Sequence, residues 1–176
     1  MLLKLLRDRE TTMPAVAKSV TDLWVWHCKY KTLRPLEDLR ALKSLVIGTY
    51  PDESLECLAA LKNLRDLRIM HMPKVRDLAP LARLGRLETL SLSTLPSWDA
   101  SGRVTEVRSL APLAKLSALK HLALFGVVSR SRSLKGLERC RQLLSVRISK
   151  FPKSEVKRFR EASGVVRDDF PPPAAG

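Results

Sequence analysis

Apolar residues recur along the chain at one characteristic spacing. Each copy of the pattern places leucines, or close substitutes for them, at steps of three residues and ends in a pair separated by a single residue. Five copies follow one another, and they begin at Leu33, Leu55, Leu78, Leu110 and Leu134. Because units this short cannot bury their apolar residues alone, the pattern predicts a stack of repeats with one continuous core.

The two parts of each copy predict two different local structures. The final Leu-x-Leu alternates with period two, so both leucines point to one side of a short strand. The three-residue steps before it fit a 3₁₀ or irregular segment better than an α-helix, whose apolar stripe alternates steps of three and four. The sequence therefore predicts an α/β repeat solenoid: a horseshoe arc with a short parallel β-sheet on its concave face, an irregular or 3₁₀ convex side and short terminal caps.

The first strand leucine of each copy fixes the alignment of an array of about six strands within residues 20–152. These aligned positions are Leu23, Leu45, Leu67, Leu90, Leu122 and Val146. The steps between them are 22, 22, 23, 32 and 24 residues. Since the fourth step is longer by about ten residues, we expect residues 97–109 to form an inserted loop.

The array resembles a known class of repeat. Residues 20–152, with Leu-Ala-Pro-Leu at 78–81 and 110–113, are similar to the short leucine-rich repeats of roughly 22 residues in internalins and in the nuclear regulatory subunit of protein phosphatase 1. Such repeats usually place an asparagine five residues after the first strand leucine. Here the equivalent positions hold Cys28, Tyr50, Met72, Leu95, Val127 and Phe151. We infer that apolar anchors, four of them followed by proline, close these turns instead.

The two ends of the chain differ from the array. Residues 1–19 are interpreted as an N-terminal cap segment whose apolar start forms a short helix; an amphipathic membrane anchor is the less favoured alternative. Residues 153–164 place apolar side chains on one face and predict a C-terminal capping helix. Residues 165–176 end in a proline-rich stretch without core-forming residues and are interpreted as a flexible tail.

Catalytic and metal-binding signatures are missing from the sequence. The three histidines, His27, His71 and His121, are interpreted as exposed polar residues. The three cysteines fit no zinc framework and favour a reducing, cytoplasmic setting. The sequence therefore predicts a protein that is not an enzyme and needs no cofactor or metal.

The strand positions between the leucines predict a binding surface. They point away from the core and form the concave face, where large apolar groups can serve as anchors for a protein partner. The candidate partner-binding residues are Trp24, Trp26, Arg68, Met70, Trp98, His121, Phe125 and Arg147. Two alternatives stay open: Trp24 and Trp26 could lie beneath the N-terminal segment, and Trp98 could fold back over Leu95.

Charge adds a second candidate surface. The formal net charge is +14, and residues 129–160 alone contain eleven Lys or Arg against two Glu. The candidate basic residues are Arg130, Arg132, Lys135, Arg139, Arg141, Lys150, Lys153, Lys157, Arg158 and Arg160. Such a cluster could attract nucleic acid, although a solvated basic face is the simpler interpretation.

The leading functional hypothesis is a non-enzymatic scaffold that binds a protein partner through its concave face, in an adaptor, inhibitor or immunity-type role. The alternative is a nucleic-acid-associated protein that uses the basic C-terminal region, with weak binding that is independent of base sequence.

Overall fold

The structure, a computed structural model, describes residues 1–173. Within that part of the chain, seven strands form one parallel sheet in the order β1-β2-β3-β4-β5-β7-β9, and β6 and β8 form a second, small sheet. The strands are β1 (Leu2–Leu6), β2 (Asp22–Trp26), β3 (Ser44–Ile47), β4 (Asp66–Ile69), β5 (Thr89–Ser93), β6 (Thr105–Val107), β7 (His121–Phe125), β8 (Val127–Ser129) and β9 (Ser145–Ile148). The predicted α/β repeat solenoid is confirmed.

The strand register pairs the leucines that the sequence aligned. Leu45 lies opposite Leu23 on one side and Leu67 on the other, and Leu122 lies between Leu90 and Val146. These leucines are fully buried. Each repeat therefore stacks its strand directly on the strand of the next, and the predicted alignment is confirmed.

The convex side consists of short 3₁₀ helices, as the three-residue steps predict. Five of them lie within the described residues, at Arg34–Asp38, Glu56–Ala60, Ala79–Arg83, Ala111–Lys115 and Lys135–Leu137. Neighbouring helices pack so closely that a Cβ atom on Gly136 would lie 2.9 Å from the backbone nitrogen of Ala111. Glycine at this position lets the last two helices stack.

The N-terminal segment forms a strand, so the expected capping helix is wrong. β1 pairs in parallel with β2 and places Leu3 opposite Leu23 and Leu5 opposite Val25. A helix of five residues is unstable on its own, whereas the free edge of β2 offers a complete row of hydrogen-bonding groups. The segment thus extends the sheet and lies beside Trp24 and Trp26.

The insertion contains regular structure where a loop was expected. A single helical turn, α1 (Pro96–Ala100), is followed by β6, which pairs in parallel with β8. The ring of Trp98 contacts His71 edge to face at a centroid distance of 4.7 Å. The insertion is therefore anchored to the scaffold at both of its ends.

The C-terminal helix α2 (Lys153–Ser163) closes the last repeat. Phe159 is fully buried at the end of the leucine core, and Gly164 ends the helix in the left-handed conformation with φ of 71°. The carboxylate of Glu155 accepts hydrogen bonds from the Leu134 amide at 2.6 Å and from the Arg158 guanidinium at 2.7 Å. The bond from Arg158 lowers the pKa of Glu155 to about 2.

Residues 165–173, which the sequence assigns to a flexible tail, lie against the sheet. Val165 is buried, and the Val146 amide in β9 donates to the carbonyl of Arg167 at 3.0 Å. The rest of that assignment, residues 174–176, lies outside the described residues. Within residues 1–173, no helix has the length and apolarity that a bilayer crossing requires.

Candidate functional site

A cavity of about 230 Å³ lies on the concave face, towards the N-terminal end of the sheet. Side chains between the strand leucines surround it, because alternate strand positions point away from the core. Its lining comprises Trp24, Trp26, Val46, Ile47, Arg68, Ile69, Met70, Ser91, Ser93 and Pro173. Four of the predicted binding residues, Trp24, Trp26, Arg68 and Met70, therefore come together around one cavity.

The two tryptophans form the N-terminal wall of the cavity. Their ring centroids lie 6.5 Å apart, and both side chains are half-buried. The ammonium group of Lys4 in β1 lies 4.8 Å from the ring centroid of Trp24. The indole N–H of Trp24 is buried and has no hydrogen-bond acceptor among the described residues. This wall is therefore a large apolar surface.

Arg68 lies at the centre of the concave face and is held on two sides. Its Nε donates to Asp66 Oδ1 at 2.9 Å, and its Nη2 donates to Asp66 Oδ2 at 2.9 Å. The same Nη2 donates to the carbonyls of Pro171 at 3.0 Å and Pro172 at 2.8 Å. Only 13% of the side chain is exposed. The sequence found Arg68 by its strand position but missed its contact with the C-terminal segment.

Three predicted residues lie at the other end of the sheet and do not line the cavity. The guanidinium of Arg147 lies 5.2 Å from the ring centroid of Phe125. His121 Nδ1 shares a hydrogen bond of 2.8 Å with the hydroxyl of Ser145. Trp98 lies on the insertion instead. The predicted residues thus form three groups: four residues that line the cavity, three residues on β7 and β9, and Trp98 on the insertion.

His71 is buried, so the expectation that it is an exposed polar residue is wrong. Only 7% of it is exposed, and its Nδ1 has no hydrogen-bond partner among the described residues. Trp98 from the insertion packs on its ring, which the sequence could not show because the insertion has no repeat register. Burial lowers the pKa of His71 below its usual 6.5.

This burial predicts a loss of stability on mild acidification. The unfolded chain takes up a proton on His71 at a higher pH than the folded chain does. The stability that comes from keeping His71 neutral is therefore complete above pH 6.5 and is lost as the pH falls through the lowered pKa of the folded state. We expect the wild-type free energy of unfolding to fall between pH 7.5 and pH 5. Urea titrations measure this loss.

His71→Phe keeps a ring against Trp98 but removes the titrating group, so its stability should vary less over the same pH range. His27→Gln is the matched control, because His27 is exposed and the variant should follow the wild type. An identical loss in the wild type and His71→Phe would show that another group causes it.

The basic residues of the C-terminal region divide into two sets. Several serve the fold: Lys150 pairs with Asp99 at 3.3 Å, Arg158 bridges Glu138 and Glu155, and Arg132 donates to the carbonyl of Lys150 at 2.6 Å. Arg160 also contributes, because it donates to the carbonyl of Val166 at 2.6 Å. The exposed remainder comprises Arg130, Lys135, Arg139, Arg141, Lys153 and Lys157. Internal pairing therefore leaves a smaller basic surface than the sequence count suggests.

The fold is shared with solved structures, of which three are described below. Internalin C2 from Listeria monocytogenes matches with 25% identity and a TM-score of 0.56, over 73% of this chain and 51% of that protein. A second internalin from the same organism matches with 18% identity and a TM-score of 0.58, over 84% and 47%. A leucine-rich repeat protein from Leptospira interrogans matches with 20% identity and a TM-score of 0.55, over 81% and 36%.

This chain therefore spans about half or less of the length of each of these proteins. No protein-family model matches the sequence, and no curated protein matches it either.

Proposed function

Because the chain is a leucine-rich repeat protein, we propose that it is a non-enzymatic scaffold that binds a protein partner through its concave face. An adaptor, inhibitor or immunity-type role would use the fold in this way. One observation carries the proposal: Trp24 and Trp26 from β2 and Met70 after β4 surround a single cavity on the concave face.

The composition of this surface suits protein recognition. Large, partly exposed apolar side chains surround small residues such as Ser91 and Ser93, so the face is concave and largely apolar where a partner side chain could enter. Tryptophan and arginine are enriched among the residues that contribute most to binding energy, and they act best in pockets from which water is excluded. The stacked strands hold these side chains at fixed spacing.

The leucine-rich repeat neighbours support a protein-interaction scaffold in general. The proposed setting is cytoplasmic, and the free thiols of Cys28, Cys57 and Cys140 are compatible with it. Burial raises the pKa of Cys57 and raises the pKa of Cys140 to about 11, so both thiols stay protonated and unreactive.

The test begins with affinity capture from the native cell, with and without nuclease, and then measures the Kd of the purified partner. We expect Trp26→Ala and Met70→Asp to weaken binding by about 30-fold or more, because each removes an anchor worth at least about 2 kcal/mol. Lys153→Glu is the control, since Lys153 is exposed on α2, away from the cavity, and should change Kd by less than about threefold.

Thermal unfolding confirms that each variant remains folded. Unchanged affinity in both concave variants would contradict the proposed face. Capture that disappears after nuclease treatment, together with a large effect of Lys153→Glu, would favour the nucleic-acid alternative.

A further inference from the structure

The C-terminal segment crosses the concave face from the last repeat towards the cavity. Arg167 pairs with β9 through its carbonyl, and the ring centroid of Phe170 lies 5.1 Å from the guanidinium of Arg68 in β4. Arg167 lies on the free edge of β9, and β9, β7 and β5 lie between it and β4, so four strand spacings, about 19 Å, are crossed. Three residues span at most about 11 Å. The segment is therefore extended and runs across the strands, and side chains cover the remaining distance.

We propose that this face is a binding site for a proline-rich peptide and that the chain's own residues 169–173 occupy it. The proposal rests on the proposed function and names the chemistry of the partner: an extended segment in which an acidic and an aromatic residue precede two or three prolines. The aromatic and proline parts of that description come from contacts that the C-terminal segment makes with Arg68, and the acidic part comes from its charge relative to that of the whole chain.

Arg68 is positioned to donate hydrogen bonds to proline carbonyls. Proline has no N–H group, so a proline-rich backbone can only accept hydrogen bonds, and in the polyproline II conformation its carbonyls are free to do so. A single guanidinium nitrogen of Arg68 binds the carbonyls of Pro171 and Pro172. Asp66 fixes the orientation of the guanidinium from the opposite side. The donor is therefore held in place before a ligand arrives.

A proline of the C-terminal segment borders the cavity next to Arg68. Pro173 is part of the cavity lining, together with Trp24, Trp26 and Met70. Aromatic-lined grooves that accept prolines are a recurrent mode of peptide recognition, because the rigid polyproline helix loses little entropy on binding. The apolar lining and the carbonyl donor together match the two chemical features of such a helix.

The residues before the prolines complete the ligand. The ring of Phe170 packs on the guanidinium of Arg68, which binds aromatic faces well. Asp168 and Asp169 precede it, and Asp169 pairs with Arg167 at 2.7 Å. A chain with a net charge of +14 attracts such an acidic segment.

Attachment to the same chain compensates for the small number of contacts. A short tether gives an effective concentration in the millimolar range, so a segment with modest intrinsic affinity still occupies its site most of the time. A partner with a similar sequence must displace it. The C-terminal segment is therefore both a copy of the ligand and its competitor.

The experiment uses the full chain and a fluorescein-labelled peptide Asp-Asp-Phe-Pro-Pro-Pro, the sequence of residues 168–173. A released variant carries Phe170→Ala, Pro171→Ala, Pro172→Ala and Pro173→Ala. Fluorescence anisotropy should show saturable binding to this variant and binding about tenfold weaker to the wild type, as an effective concentration of about 1 mM and an intrinsic Kd of about 0.1 mM require. The same peptide with alanine in place of its prolines should bind the released variant at least about tenfold more weakly.

In the released variant, Arg68→Lys keeps the charge but loses the forked donor. It should raise the Kd of the peptide by about fivefold or more. Arg65→Lys is the matched control, because Arg65 is exposed and pairs only with Glu88 among the described residues, and it should leave the Kd unchanged. Circular dichroism verifies that all variants are folded.

The proposal is overturned if the labelled peptide does not bind the released variant at 1 mM protein, about ten times the expected Kd. Equal binding by the wild type and the released variant, or by the proline and alanine peptides, also overturns it. A captured partner that loses affinity in Trp26→Ala but binds the wild type and the released variant equally would leave the proposed function standing and refute the proline-rich ligand.

Discussion

Phe159→Ala is expected to lower the free energy of unfolding by about 3 to 5 kcal/mol, the usual cost of removing a buried phenylalanine. Phe159 is the only fully buried residue of α2 within the described part of the chain, and its ring closes the end of the leucine core. Without it, α2 loses its anchor and the apolar face of the last repeat meets water. Urea titration followed by circular dichroism measures the loss.

Lys157→Ala is the control for this variant. Lys157 lies on the same helix and is exposed, and within residues 1–173 its one ion pair is a long contact of 3.9 Å with Glu161. Its removal should therefore change stability by less than about 0.5 kcal/mol. A loss below about 1 kcal/mol for Phe159→Ala would mean that the helix contributes little to closing the array.

Leu122→Ala is expected to cost about 2 to 5 kcal/mol, because it removes a buried side chain and leaves a cavity that the stacked strands cannot fill by moving together. Leu122 is fully buried and lies between Leu90 and Val146 in the register of the sheet. The effect should also reach both neighbouring repeats, since each contributes a wall of the cavity. The measurement is the midpoint and slope of the urea transition.

Leu144→Ala makes the same chemical change two residues before Val146, at a side chain that is 50% exposed. It should cost less than about 1 kcal/mol. Equal losses in the two variants would contradict the core assignment of Leu122.

The repeat architecture could be predicted because its signals are local. Alternation in Leu-x-Leu and steps of three each specify a backbone conformation within a few residues, and units that share this pattern then stack in one register. The N-terminal strand was missed although Leu3 and Leu5 repeat the same alternation. Five apolar residues fit a short helix equally well in isolation, and only the edge of β2 decides between the two.

The candidate site was predicted in part for the same reason. The strand positions that place Trp24, Trp26, Arg68 and Met70 on one face follow from the period of the strands. The contact between Arg68 and Pro171 joins residues 103 positions apart, and no periodicity links them. Three consecutive prolines also have no periodicity, so no sequence pattern predicts that they lie against the sheet. The burial of His71 depends in the same way on an insertion outside the repeat register.

The path of residues 167–173 also changes how the array can lose its structure. In a repeat stack each unit contacts only its neighbours, so terminal units can fray one at a time. Here the chain returns from β9 to β4 and joins repeats that are not adjacent. Fraying of the last unit must therefore either break the hydrogen bonds to Arg68 or distort the sheet around β4. This crossing segment adds a long-range constraint to a one-dimensional stack and makes the two halves of the solenoid more cooperative in unfolding.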